Sequence, residues 1–265
     1  ATCWQTQQNL NGPSDEQDLR DPEQATQADP HQPNHASRIS IGIFLPLSSY
    51  EGVGKFAPHR KPPMPQTTNT KSLILIGDSI FDNAVYVEPN ERCVEDHCRA
   101  LLPDWNVRLW AVDGDTASDI PSQIESHETP PDAVAVMSVG GNDALAYQDL
   151  LLGDMPPVVP TNLFAHLHPS IEQFRAVYNK ALDAIQARNI PLSTCTIYNG
   201  NFPEPQQAAA TTGIALFNDV IYRESGRRNL PVIELRDVCT DLVHYANPIE
   251  PSESGGLAIA QAITR

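Results

Sequence analysis

The chain lacks the long apolar segment that a membrane-spanning helix requires. The apolar stretch in its N-terminal part, Ile39 to Leu47, covers about nine residues, whereas a span needs about twenty. This stretch also lies too far along the chain for an ordinary signal peptide. Neither feature identifies the compartment, and a cytoplasmic location is slightly favoured.

Basic residues are scarce. The sequence has 17 Lys and Arg residues against 33 Asp and Glu residues, and its formal net charge is −16. Residues 71–265 alone carry 12 basic and 26 acidic residues. Such a negative field repels phosphate backbones and anionic lipid, so the sequence argues against nucleic acids and membrane surfaces as partners. It favours a small molecule that is neutral or cationic.

Two kinds of motif are also missing. The five cysteines show no CxxC pair and no Cys/His spacing typical of zinc sites, which predicts ordinary thiols and no metal. No GxGxxG or Walker sequence is present, and this counts against a flavodoxin-like phosphate or nucleotide binder. We therefore expect no metal and no organic cofactor.

Composition divides the chain near Lys71. Residues 1–70 hold nine of the 24 prolines and eight glutamines, with almost no apolar periodicity. Such a segment cannot bury enough apolar surface to offset the loss of chain entropy on folding. We predict a disordered N-terminal tail at 1–70 and one folded domain at 71–265.

Within the domain, short apolar strands alternate with amphipathic helical segments, as in a parallel sheet covered by helices on both faces. We predict five strands: Leu73 to Ile76, Val107 to Val112, Ala133 to Val139, Thr194 to Tyr198 and Val232 to Leu235. A final helix is expected after Ser252, with Leu257, Ala260 and Ile263 facing the sheet. The predicted fold is a flavodoxin-like three-layer α/β/α sandwich with a five-stranded parallel sheet.

Three turns follow the first three strands and contain small polar residues. They are Gly77-Asp78-Ser79-Ile80, Asp113-Gly114-Asp115 and Gly140-Gly141-Asn142-Asp143. The carboxyl ends of parallel strands lie at one edge of the sheet, so the three turns should converge there. The hydroxyl of Ser79 would then lie near three donors for an oxyanion: its own N–H, the N–H of Gly114 and the side-chain amide of Asn142. Asp78 is expected to fix its turn by accepting backbone N–H groups.

The segments LILIGDSIFDN, AVDGDT and VMSVGGNDAL resemble the first three sequence blocks of the SGNH (GDSL) hydrolases. This resemblance covers residues 71–265 and implies a catalytic domain that hydrolyses esters, as esterases, lipases, thioesterases and carbohydrate deacetylases do. It also implies that Ser79 is the nucleophile, with Gly114 and Asn142 in the oxyanion hole.

Serine needs a base, and the sequence offers two candidates. His244 follows Asp241 with the Asp-x-x-His spacing of the last family block, so we predict His244 as the base and Asp241 as the residue that orients it. Spacing to the last helix instead places Glu250 in the histidine position and Asn247 in the aspartate position. A solvated glutamate is a poor base, because its ordinary pKa is about two units below that of histidine. Burial could raise the pKa of Glu250.

The sequence thus predicts a serine esterase that cleaves a small-molecule ester through an acyl-serine intermediate. The alternative is a non-catalytic domain of the same fold that binds an acyl or carbohydrate ligand, because the base does not follow the family pattern. The loops Phe81 to Pro89 and Leu151 to Phe164 are expected to line the substrate pocket. The sequence does not specify the acyl group or the oligomeric state.

Overall fold

The computed structural model describes residues 71–147 and 160–265. The disordered tail predicted for residues 1–70 lies outside the described residues and stays a prediction. Residues 148–159, which include most of one loop expected to line the pocket, lie outside them as well. The structure therefore bears on the predicted domain and not on the tail.

In the described part of the chain, five parallel strands form one sheet in the order β2-β1-β3-β4-β5. The strands are β1 (Ser72–Gly77), β2 (Asn106–Leu109), β3 (Ala133–Ser138), β4 (Leu192–Cys195) and β5 (Val232–Ile233). Each one overlaps a predicted strand, so the predicted five-stranded parallel sheet is confirmed. From β1 the chain first adds β2 on one side and then adds β3 on the other side. Folds of this class bind ligands at such a switch point, here between β1 and β3.

Alternation along β1 builds a core on each face of the sheet. Leu73 and Leu75 pack into a cluster on one face, and Ile74 and Ile76 pack into a second cluster on the other. Both faces of the central strands are apolar because helices cover both of them. The predicted three-layer sandwich is confirmed.

The helices connect the strands in the order expected for this fold. They are α1 (Val94–Leu101), α2 (Ile120–Glu125), α3 (Gly141–Leu145), α4 (Pro160–Gln186), α5 (Gln206–Arg227), α6 (Leu235–Val238) and α7 (Glu253–Ile263), with a 3-10 turn at Leu242–His244. Within the described ranges, no helix has the length and apolar character to cross a bilayer.

The last helix begins where the sequence predicted, and Ala260 and Ile263 pack against the core as expected, whereas Leu257 does not. Ser252 caps α7, and its side-chain oxygen accepts the N–H of Gly255 at 3.2 Å. Ile259 and Ala260 are fully buried, whereas Leu257 is 37% exposed. The expected role of Leu257 was wrong, because the buried face of α7 runs through Ile259, Ala260 and Ile263, and Leu257 lies on the other side of the helix from Ile259.

Candidate active site

The chain turns sharply after β1, at Gly77-Asp78-Ser79. Gly77 has φ +140°, and a Cβ atom there would lie 1.8 Å from the carbonyl oxygen of Ser138. Only glycine fits, because β1 and β3 are paired up to this residue. The N–H of Asp78 donates to the same carbonyl at 3.2 Å. The turn is thereby fixed to the end of β3, and Ser79 follows it at the sheet edge with 7% of its surface exposed.

Ser79 contacts an acidic side chain from the other end of the domain. Its Oγ donates a hydrogen bond to Oε1 of Glu250 at 3.0 Å. Glu250 is 4% exposed, and its second oxygen, Oε2, has no hydrogen-bond partner among the described residues. A carboxylate in this position is within reach of the serine proton and is not occupied by a competing salt bridge.

The environment of Glu250 raises the pKa of its carboxyl group. Burial is the main cause, and the negative charge of Asp113 adds to it. The hydrogen bond from Ser79 acts in the opposite direction, and the resulting pKa is about 7 instead of 4.5. Glu250 therefore has the proton affinity that an imidazole ordinarily has.

The loop that carries Glu250 is held at two points. The side-chain oxygen of Asn247 accepts the N–H groups of Ile249 at 2.9 Å and of Glu250 at 3.0 Å. The buried side chain of Asn83 donates to the carbonyl of Pro251 at 3.2 Å. These bonds fix the backbone on both sides of Glu250, so its carboxylate is held beside Ser79.

His244 and Asp241 bond to each other and not to Ser79. The N–H of Asp241 donates to Nδ1 of the His244 ring at 3.3 Å, and the side chain of Asp241 caps the 3-10 turn that ends at His244. Among the described residues, no hydrogen bond joins His244 to Ser79, and His244 is not among the residues that line the cavity beside Ser79. The structure thus brings Glu250, and not His244, into contact with the serine.

Asn142 lies in the first turn of α3 and lines the same cavity as Ser79 and Glu250. Its Nδ2 donates to the carbonyl of Asp115 at 2.9 Å. A side-chain amide carries two N–H donors, so one of them stays available for a ligand. The bond also joins the third turn to the second.

Gly114 lies in the second turn with φ +86°, a conformation that favours glycine. It precedes Asp115, which accepts the Asn142 amide, but Gly114 itself is not among the described residues that line the cavity. The three predicted turns therefore meet.

Gln123, which was not predicted from the sequence, joins the first turn to the second. Its Oε1 accepts the N–H of Gly77 at 3.1 Å, and its Nε2 donates to the carbonyl of Gly77 and to Oδ2 of Asp115, both at 2.7 Å. Gln123 is 5% exposed. The signal was present, since Gln123 shares the buried face of α2 with Ile120 and Ile124, where a polar side chain requires partners.

Asp78 is buried beneath the site. Its Oδ1 accepts the N–H of Ile80 at 3.1 Å, in agreement with its expected part in fixing the turn. Burial raises the pKa of Asp78 to about 8; the bond from Ile80 lowers it, and the charge of Glu250 raises it further. At neutral pH this side chain is largely uncharged, so it adds little negative charge next to Ser79.

The cavity beside Ser79 is lined by residues from α3, α5 and the segments that follow β3 and β4. Its described lining includes no residue of the predicted loop Phe81 to Pro89. The other predicted loop, Leu151 to Phe164, falls mostly outside the described residues. In the part of the chain that the structure describes, no group of three His, Cys, Asp or Glu side chains could hold a metal ion, and Cys93, Cys98, Cys195 and Cys239 are free and buried.

Comparison with known structures identifies the fold. The extracellular lipase of Streptomyces rimosus superposes with a TM-score of 0.57 at 14% identity, over 73% of this chain and 98% of the lipase. Phospholipase A1 of Streptomyces albidoflavus superposes with a TM-score of 0.55 at 13% identity, over 73% of this chain and 99% of the phospholipase. A putative lipolytic protein of the G-D-S-L family from Desulfitobacterium hafniense superposes with a TM-score of 0.52 at 16% identity, over 74% of this chain and 98% of that protein. At these identities the likeness establishes the fold alone.

The sequence itself supplies the family. No curated protein matches the chain significantly. The family model of the GDSL-like lipase/acylhydrolase family, however, matches residues 75–252, which include the turn at Ser79, Asn142 and Glu250. This match extends over more than half of the chain, and the fold agrees with it. The chain therefore belongs to the GDSL-like lipase/acylhydrolase family of hydrolases.

Proposed function

We propose that the protein hydrolyses a carboxylic ester through an acyl-serine intermediate, with Ser79 as nucleophile and Glu250 as general base. The observation that carries this proposal is the hydrogen bond from Ser79 Oγ to Glu250 Oε1, at 3.0 Å, beside a cavity that Asn142 also lines. A general base must lie within hydrogen-bond reach of the proton that it removes, and Glu250 meets this condition. We assign His244 and Asp241 a structural part in the 3-10 turn.

The raised pKa answers the objection to a glutamate base. A solvated glutamate, with a pKa near 4.3, holds a proton too weakly to take one from serine at neutral pH. Burial of Glu250 brings its pKa to about 7, close to the pH at which a base works best. Glu250 can then take up and release a proton near neutral pH.

A carboxylate base also explains why asparagine, and not aspartate, lies three residues before Glu250. An imidazole becomes positively charged when it takes a proton, and a neighbouring carboxylate stabilises that charge. Glu250 becomes neutral instead, and a buried neutral acid needs no counter-ion. Asn247, which has the position of the family's aspartate, bonds to the backbone of the loop.

The reaction has two halves. Ser79 Oγ attacks the carbonyl carbon as its proton passes to Glu250, and the tetrahedral intermediate collapses when Glu250 returns the proton to the leaving alcohol. Water then attacks the acyl-serine and gives its proton to Glu250, and the acid is released when Ser79 regains a proton. We assign the oxyanion hole to the N–H of Ser79, the amide of Asn142 and the N–H of Gly114; the bond from Asn142 to Asp115, the residue after Gly114, supports this grouping.

Hydrolysis of short-chain nitrophenyl esters tests the proposal, with Ser79→Ala as the inactive reference. We expect measurable turnover by the wild type and its loss in Ser79→Ala, together with labelling of Ser79 by a fluorophosphonate probe. Equal rates for the two proteins would contradict the proposal. A folded wild type whose Ser79 is not labelled would instead favour the non-catalytic binding domain.

A further inference from the structure

The cavity beside Ser79 is bounded by more than the catalytic groups, since residues of α3, α5 and the segment after β4 line it as well. Its volume is about 80 Å³, and beyond Ser79, Asn142 and Glu250 it is bounded mainly by apolar side chains. These apolar side chains include Val139, Ala144, Leu145, Ile197, Ala210 and Ile214. A substrate whose carbonyl carbon lies at Ser79 therefore has an apolar space next to its reacting bond.

The charge of the lining restricts what can enter. Among the described lining residues there is no Lys, Arg or His, and the carboxyl groups are those of Asp78 and Glu250. A group with a carboxylate or phosphate would find no cation among these residues and would be repelled by an ionised Glu250. The hydroxyl of Thr196, which also lines the cavity, already donates to Glu234 at 2.6 Å. The cavity thus suits an uncharged aliphatic chain.

The order of the reaction decides which half of the ester enters the cavity. The alcohol must leave and be replaced by water, so its side of the site needs access to solvent. The acyl group stays bonded to Ser79 until water has attacked, so it can occupy an apolar space throughout. The apolar cavity is therefore the place for the acyl group.

The volume sets the length of that group. A water-sized group takes about 10–15 Å³ in such a measure, so a cavity of about 80 Å³ holds about five to eight of them. We infer that the cavity is an acyl subsite for an uncharged aliphatic chain of about five to eight carbons. This inference rests on the proposed function, because it assumes that Ser79 forms the acyl-enzyme.

Ile214 offers a way to change the length of the subsite without touching the catalytic groups. It lies on α5, it is half-buried, and it lines the cavity. Ile214→Trp should fill part of the space, and Ile214→Ala should enlarge it. Leu216→Ala is the matched control, because Leu216 lies on the same helix, is 37% exposed and does not line the cavity.

The experiment measures kcat/KM for straight-chain nitrophenyl esters from acetate to palmitate. Burial of each added methylene should raise kcat/KM about three- to fourfold until the cavity is full. We expect a maximum between pentanoate and octanoate for the wild type and for Leu216→Ala. The maximum should move to shorter chains in Ile214→Trp and to longer chains in Ile214→Ala.

The outcomes separate this inference from the proposed function. The acyl subsite would be overturned, while ester hydrolysis stands, if the wild type were fastest with acetate or palmitate. The same would follow if neither Ile214→Trp nor Ile214→Ala changed the chain-length profile. Failure to hydrolyse any ester, with Ser79 unlabelled by a fluorophosphonate, would overturn both. Labelling of Ser79 in each variant shows that the site is intact, and if Ile214→Trp does not fold, Ile214→Ala alone decides.

Discussion

The hydroxyl of Ser79 and the carboxylate of Glu250 are joined by a hydrogen bond of 3.0 Å, although 171 positions separate the two residues in the sequence. One residue follows β1 and the other precedes α7, and the parallel sheet brings both to the same edge. The pair is buried, and its surroundings raise the pKa of Glu250 to about 7. This burial has consequences both for activity and for stability.

The first prediction concerns the pH dependence of the reaction. Glu250 must be ionised to accept the serine proton, so kcat/KM should rise with pH and level off above its pKa of about 7. The measurement is a pH profile of kcat/KM with product determined by a method that does not depend on the ionisation of nitrophenol. A flat profile from pH 6 to 8, or a single rise below about pH 5, would show that Glu250 is not the titrating base.

The second prediction concerns stability. The pKa values of Glu250 and Asp78 are raised in the folded state, so between their ordinary and folded values the native protein binds more protons than the unfolded chain does. The unfolding free energy should therefore fall as the pH rises from about 4 to about 8. The shift in the pKa of Glu250, from 4.5 to about 7, corresponds to roughly 3 kcal/mol of unfolding free energy.

Glu250→Gln tests this prediction, because glutamine keeps the shape and can still accept the bond from Ser79. We expect the variant to be more stable than the wild type at pH 8, by up to about 3 kcal/mol, and nearly equal to it at pH 4 in urea unfolding. Glu88→Gln, at an exposed position, is the control. If the wild type instead gains stability between pH 5 and 8 relative to Glu250→Gln, its site stabilises the ionised carboxylate, and the prediction is wrong.

The third prediction assigns Gln123 a positioning role. Its bonds to Gly77 and Asp115 hold the first turn against the second, so Gln123→Leu should displace the donors that we propose for the oxyanion hole. We expect kcat to fall by about 10- to 100-fold with KM nearly unchanged, because a displacement of about 1 Å can cost that much. Steady-state kinetics, normalised to the fraction of Ser79 labelled by a fluorophosphonate, measure the effect.

Ser122→Ala is the control for Gln123→Leu. Ser122 lies next to Gln123 on α2, but its side chain is exposed. This variant should behave as the wild type. An unchanged kcat in folded Gln123→Leu would show that the bonds of Gln123 only stabilise the fold.

The fold could be predicted from the sequence because it depends on patterns that are local. Buried strands such as β1 are continuous apolar runs, and the amphipathic segments between them show helical spacing. The spacing of three residues from Leu257 to Ala260 fitted a single helix face, but the buried face of α7 runs through Ile259 and Ala260, so Leu257 was placed on the wrong side. The nucleophile could be proposed from the turn at Ser79 because the chemistry of such turns is encoded in a few neighbouring residues.

The base could not be chosen from the sequence, since the choice depends on burial. His244 has the chemistry of a base, and Glu250 has the spacing, but only the folded chain shows that the Glu250 carboxylate is buried beside Ser79 while the His244 ring bonds to Asp241. Gln123 was missed for a similar reason. Its partners, Gly77 and Asp115, come close to it only when the turns meet at the sheet edge.

The identity of the base is the central claim, and the rate at which a fluorophosphonate labels Ser79 tests it most directly. This rate depends on activation of the serine and not on a second reaction step. We expect Glu250→Gln to slow labelling by about 10²- to 10⁴-fold at pH 8, and His244→Asn to leave the rate close to that of the wild type. Rapid labelling of Glu250→Gln, together with a loss of labelling in His244→Asn, would contradict the claim and identify His244 as the base.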